Sequence, residues 1–131
     1  MIETSICQID DQKLVAAIST ASRQIVFAAP GVSQVVAEAL AAAWKRLGIY
    51  AVSIILDVDA EVCRLGYGTI EGLQCLQSLA QSLGTMVCHQ PGLRIGILVT
   101  DQNILVYTPT PLLIEAGSAQ EQRPNVGGVR L

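Results

Sequence analysis

The sequence predicts a single α/β domain built on a mixed, mostly parallel β-sheet with helices on both faces. Three observations predict it. Helix-like and strand-like patterns alternate along the first two thirds of the chain. The strand-like runs are nearly continuous in apolar residues, as strands covered on both faces are. Two later runs, Ile95 to Thr100 and Asn103 to Tyr107, have only a short turn between them, which requires a hairpin and therefore antiparallel pairing. With 131 residues, 51% of them hydrophobic and 15% charged, the chain is long enough for one core and too apolar to stay unfolded.

Each element has its own signal. Asp10 or Asp11 caps a first helix in which Leu14, Ala17, Ile18 and Ala21 recur at i, i+3, i+4 and i+7. Gln24 to Ala29 is short and β-branched at its start, and Pro30-Gly31 stops it, so it reads as a buried strand. Ser33 caps a second helix with Val36, Leu40, Ala43, Trp44 and Leu47 inward, ended by Gly48. Tyr50 to Asp57 is the next strand. Thr69 caps a third helix with Leu73, Leu76, Leu79, Ala80 and Leu83 inward, closed by Gly84. Thr85 to Cys88 and the hairpin complete a sheet of five to seven strands, to which Met1 to Ile9 adds an edge strand. After Glu115 the composition turns to Gly, Ser, Gln, Pro and Asn. Residues 1–116 are therefore expected to form the domain, and 117–131 a flexible tail or linker.

Bulk properties narrow the function. Eight basic and eleven acidic side chains give a formal charge of −3, and the cations are scattered rather than striped. Polynucleotide affinity comes mainly from clustered cations that displace counterions, so the balance argues against a nucleic-acid partner. No apolar run approaches the roughly 18 uncharged residues that cross a bilayer, and MIETSICQIDDQK lacks the basic start and apolar middle of a signal peptide. The expectation is a cytoplasmic protein with no membrane partner. Cys7, Cys63, Cys75 and Cys88 form no CxxC pair and cannot complete a familiar zinc set with the single His89. They read as reduced core thiols, and neither a metal nor a cofactor is expected.

The segment Arg94-Ile95-Gly96-Ile97-Leu98-Val99-Thr100-Asp101, followed by the strand to Tyr107 and by Thr108-Pro109-Thr110-Pro111, resembles the signature of the phospholipase D superfamily. That signature reads HxKxxxxD, six further residues, then GSxN, across one hairpin. In register, Arg94 stands where the family has its nucleophilic histidine, Gly96 where it has lysine and Asp101 where it has aspartate. Thr108, Pro109 and Pro111 replace the Gly, Ser and Asn. The order of elements over residues 10 to 116 is similar too, so the resemblance implies one phospholipase D-like half lacking the catalytic His and Lys.

The chemistry follows from the replacements. The family mechanism needs one imidazole to attack phosphorus and a second, from another copy of the motif, to protonate the leaving group. A guanidinium does neither, since it stays protonated at any working pH and only binds an anion. The resemblance thus argues against phosphodiesterase activity. It suggests a catalytically silent interaction module or an anion- or phosphate-binding one, possessing Arg94, Asp101, Arg64 and Tyr67 as candidate ligand residues. Asp101 equally suits a hairpin tip, and Arg94 a salt bridge to a nearby acid such as Asp101. Tyr67 and Arg64 belong to the loop around Gly66-Tyr67-Gly68, which follows a central strand where α/β sheets commonly form pockets. Because active members join two halves at a shared cleft, the resemblance also implies a homodimer.

Other readings start elsewhere. Asp57-Val58-Asp59 at a strand end is similar to the nucleophile motif of haloacid dehalogenase-like phosphatases, but Glu61 stands where that motif has Thr or Val. It nevertheless defines the alternative of a metal-assisted phosphodiester or phosphomonoester hydrolase using Asp57 and Asp59. A nucleic-acid-binding domain is the third reading. His89 has no lysine two residues on and no aspartate seven on, so it reads as a surface or loop histidine.

Overall fold

The computed structural model describes residues 3–4, 8–109, 125–126 and 129–130. The elements, in chain order, are β1 (Glu3–Thr4), β2 (Gln8–Ile9), α1 (Asp11–Thr20), β3 (Ile25–Ala29), α2 (Gln34–Leu47), β4 (Val52–Leu56), α3 (Ala60–Arg64), α4 (Ile70–Leu83), β5 (Cys88–His89), β6 (Gly96–Thr100), β7 (Asn103–Tyr107), β8 (Asn125–Val126) and β9 (Val129–Arg130). Met1 to Ile9, expected as one edge strand, supplies two short ones. The expected tail falls mainly outside the described residues. Its two described dipeptides are paired, β8 with β2 and β9 with β1 and β7.

Helix ends follow the caps in the sequence. The Asp10 carboxylate accepts from the Lys13 amide at 2.9 Å, Ser33 Oγ from Val36 and Thr69 Oγ1 from Gly72 at 3.0 Å. Each satisfies an amide that the first helical turn would otherwise leave unpaired. Gly84 closes α4 at φ +78, a left-handed position that glycine adopts without a Cβ penalty. The end of α1 is closed differently. The Arg46 guanidinium, reaching over from α2, donates to the carbonyls of Ile18, at 3.1 Å, and Ala21.

The main sheet has the order β1-β9-β7-β6-β3-β4-β5. It is mixed, as expected, but not mostly parallel: β3-β4 and β4-β5 are parallel, while β3-β6, β6-β7, β7-β9 and β1-β9 are antiparallel. The reason is the hairpin. It adds β6 and β7 on the far side of β3 from the parallel strands, and further strands then pair onto β7.

Helices α1, α2 and α4 form one layer over the sheet. The crossovers β3-α2-β4 and β4-α4-β5 step in the same direction along the sheet, and right-handed connections of that kind place their helices on one face. Accordingly α2 packs on α4, and α1 on α2 and β6. The core lies between this helix layer and the inward side chains of the sheet, with Phe27, Leu40, Trp44, Ile54, Leu76 and Leu98 at its centre. The Trp44 indole N–H donates to the Val52 carbonyl at 3.1 Å, so its one polar group is paired despite burial. Among the described residues no helix is long and apolar enough to cross a membrane.

Candidate functional site

A polar cluster forms where β4 runs out at Asp57. This carboxylate is 6% exposed, and a buried charge requires partners. The turn at Gly92, with φ +78, brings the Gly92 amide to Oδ2 at 2.9 Å. The Asp59 amide donates to Oδ1 at 3.2 Å, and Arg94 Nη1 reaches Oδ2 at 3.2 Å. Burial on its own would raise the Asp57 carboxyl. The two amides, the Arg94 hydrogen bond and the Arg94 charge outweigh it, and the group lies below its ordinary value.

His89 stands beside this carboxylate. In parallel register with Leu56, its ring places Nδ1 4.0 Å from Asp57 Oδ1. Nδ1 accepts the Val58 amide at 3.0 Å, which assigns the ring proton of the neutral form to Nε2. The Arg94 guanidinium lies over the Tyr67 ring, 5.4 Å from its centroid, a cation–π distance. Asp57 thus carries a half-exposed imidazole and a half-exposed guanidinium, above an open depression lined by residues from Gln90 to Ile95.

Of the four residues expected to bind a ligand, Arg94 and Tyr67 meet here. Arg64 is exposed and paired with Glu61 at 2.7 Å. Asp101 lies at the other end of β6, about 20 Å from Arg94 at the rise of a strand. The expected salt bridge of Arg94 to Asp101 is therefore replaced by one to Asp57. Asp101 instead accepts from the Ser22 amide and hydroxyl, both at 3.0 Å, and the Arg23 amide at 3.3 Å. It ties the hairpin tip to the chain leaving α1. The Ser22 amide first, with Arg23 and the Ser22 hydroxyl, holds its carboxyl down to about 2.

The Asp57-Asp59 pair also divides its work. Asp59 caps α3 by accepting from the Glu61 amide at 2.9 Å, while both Asp57 oxygens face hydrogen-bond donors. Among the described residues no three His, Cys, Asp or Glu side chains converge as a metal site. The thiols differ from the expectation of a uniform core set: Cys63 and Cys75 are half-buried and Cys88 is exposed, while Cys7 lies outside the described residues.

Sequence reasoning missed His89. Neither the HxKxxxxD spacing nor a zinc set with the cysteines includes it, whereas its neighbour Asp57 follows the adjacent parallel strand. A signal existed in the ends of the two runs, Asp57 after IIL and His89 after MVC, since adjacent parallel strands bring their C-terminal ends together. Gly96 is the other informative position. It is buried in register with Tyr107, and a Cβ added to it would lie inside contact distance of the Tyr107 ring carbons.

The fold is a mixed α/β one, consistent with a phospholipase D-like fold. Among solved structures the chain is similar to Nuc from Salmonella typhimurium, a phospholipase D family member, at 15% identity and a TM-score of 0.63, covering 99% of this chain and 83% of that one. At this identity the likeness is one of fold. No family model matches the chain, and no curated protein matches it in sequence.

Proposed function

We propose that this chain is a phospholipase D-like half without phosphodiesterase chemistry, acting in the cytoplasm as an interaction module whose first partner is a second copy of itself. One observation carries the silence. The position corresponding to the family lysine is Gly96, and the Tyr107 ring fills the space into which any side chain there would project. The position of the nucleophile agrees: Arg94 is bound to Asp57 and stacked on Tyr67, and a guanidinium neither attacks phosphorus nor donates its proton.

The polar end retains a binding capacity. Arg94 presents the exposed part of its fork beside His89, and that edge suits an oxyanion such as phosphate. Asp57 cancels one positive charge at close range, so the affinity is weak. A metal-assisted hydrolase on Asp57 and Asp59 has less support, because Asp57 is held by a guanidinium and two amides and Asp59 by the start of a helix.

The test is turnover of bis(4-nitrophenyl) phosphate and 4-nitrophenyl phosphate from acid to alkaline pH, with magnesium and with EDTA. The expected rate is that of buffer. Turnover that copurifies with the protein and disappears in Asp57→Asn or His89→Ala would overturn catalytic silence. In parallel, titration with inorganic phosphate followed by amide NMR should move Gly92 and its neighbours weakly and saturably, and Arg94→Gln should abolish the shifts.

A further inference from the structure

Asp57 has a nitrogen head beside each of its oxygens. Arg94 Nη1 stands 3.2 Å from Oδ2, and His89 Nδ1 stands 4.0 Å from Oδ1. The two heads differ in kind. A guanidinium is charged at every working pH, whereas an imidazole ordinarily changes charge between about pH 5 and 8. In the structure His89 has the geometry of the neutral form, because Nδ1 accepts the Val58 amide at 3.0 Å and an accepting ring nitrogen carries no proton. The cluster is then balanced. Asp57 cancels Arg94, and an incoming anion meets no net positive charge.

Protonation changes partners as well as charge. An Nδ1 that carries a proton cannot accept from Val58, and the two hydrogens repel. Asp57 Oδ1 is the acceptor next to it, with a lone pair to spare beyond the one taken by the Asp59 amide. Nε2 remains a donor in both forms, and the side chain is 42% exposed. The imidazolium therefore adds one positive charge beside the Arg94 fork while keeping a donor for a ligand. We infer that His89 is a second ligand residue of this site and binds in its charged form, so that a tetrahedral oxyanion and a proton are taken up together. This rests on the anion-binding reading and adds its regulation.

The other ionisable groups at this end do not supply the effect. Burial acts to raise the Asp57 carboxyl, but the Gly92 and Asp59 amides and Arg94 keep it below its ordinary value, so it stays charged above about pH 5. Asp59 is turned to the Glu61 amide at the start of α3, and Glu61 pairs with Arg64. Tyr67, under Arg94, and Cys88, before His89 on β5, are not cations in any state. A charge-assisted hydrogen bond at a half-exposed group, after solvent screening, supports roughly a five- to tenfold preference for the charged form. Linkage makes this reciprocal. The same preference requires saturating anion to raise the imidazole midpoint by roughly 0.7 to 1 pH unit.

The experiment is NMR on the full chain with sulfate, whose charge does not change between pH 5 and pH 8, against chloride at equal ionic strength. His89 is the single histidine, so one ring C–H signal reports its proton. In wild type, saturating sulfate should raise its midpoint by the amount above, and the Val58 amide, losing its acceptor, should shift with the same midpoint. Sulfate affinity, read from the Gly92 amide, should be several-fold tighter at pH 5.5 than at pH 8. His89→Asn keeps an acceptor near the Nδ1 position without a site for the proton, and its affinity should be equal at both. Arg94→Gln should leave the His89 midpoint unmoved by sulfate. Wild-type binding equally tight at both pH values, a midpoint indifferent to sulfate, or a pH dependence that persists in His89→Asn overturns the proposal and leaves the anion site standing. If His89→Asn does not fold, the wild-type midpoint with and without sulfate decides. Amides unmoved by sulfate at either pH refute the anion site and this inference together, whereas phosphodiester turnover refutes catalytic silence alone.

Discussion

Asp57 concentrates the polar energetics of the molecule. Its burial is tolerated because two amides and a guanidinium face its oxygens, and removing the charge leaves those donors unmatched. Asp57→Asn puts an amide nitrogen against at least one of them, and the expected destabilisation is about 2 kcal/mol, the scale of a broken buried charged network, measured by urea unfolding at neutral pH. The direction of its titration gives a further check. A carboxyl lowered on folding stabilises the folded state above its unfolded value, near 3.8, and that contribution is lost as pH falls through the folded value. The same sign holds for Asp101, held down to about 2. Between pH 5 and pH 2.5, unfolding midpoints should therefore fall more steeply in wild type than in Asp57→Asn or Asp101→Asn. A parallel fall in all three would mean that neither carboxylate gains from its partners.

At the scale of elements, the pairing of β6 with β7 explains a substitution that the sequence could only register. Gly96 is glycine because Tyr107 crosses it. Gly96→Ala should cost about 1–3 kcal/mol through overpacking, and much less in a Tyr107→Ala background. A thermodynamic cycle should show coupling of about 1 kcal/mol or more between the two sites, and additivity would refute the account. The cap on α1 makes a second prediction. Arg46→Ala removes hydrogen bonds to the Ile18 and Ala21 carbonyls and should cost about 1–3 kcal/mol, with exchange protection lost first at the end of α1. These cases show what was legible. The caps Asp10, Ser33 and Thr69 and the stop Gly84 announced three helices because each signal is local. The pairing of Asp57 with His89, the cover over Gly96 and the placing of α1, α2 and α4 on one face depend on which strands lie adjacent. That information is in the sheet order, and the alternation of helix and strand alone does not contain it. Helix α3 went unread because five residues offer too little periodicity to recognise.

For the whole molecule, the sheet links composition to behaviour. The hydrophobic content of 51% extends to side chains of the sheet outside the main core, which apart from Ser53 are Val, Ile and Ala. If those side chains pair with a second copy, stability depends on concentration, because a partner that binds only the folded chain shifts the equilibrium by mass action. At a free concentration ten times the dissociation constant the gain is about 1.4 kcal/mol, which for a domain of this size raises Tm by roughly 5 °C. Scanning calorimetry from low to high micromolar protein should show that rise in wild type. It should show a flat Tm in Ile97→Glu, whose outward carboxylate would be buried against its own copy. Salt separates this from a charge-driven association. Pairing between uncharged faces persists or strengthens as ionic strength increases, whereas attraction between charged surfaces is screened. A Tm independent of concentration in wild type, or a rise abolished by moderate salt, would place the association elsewhere and leave the apolar face to another partner.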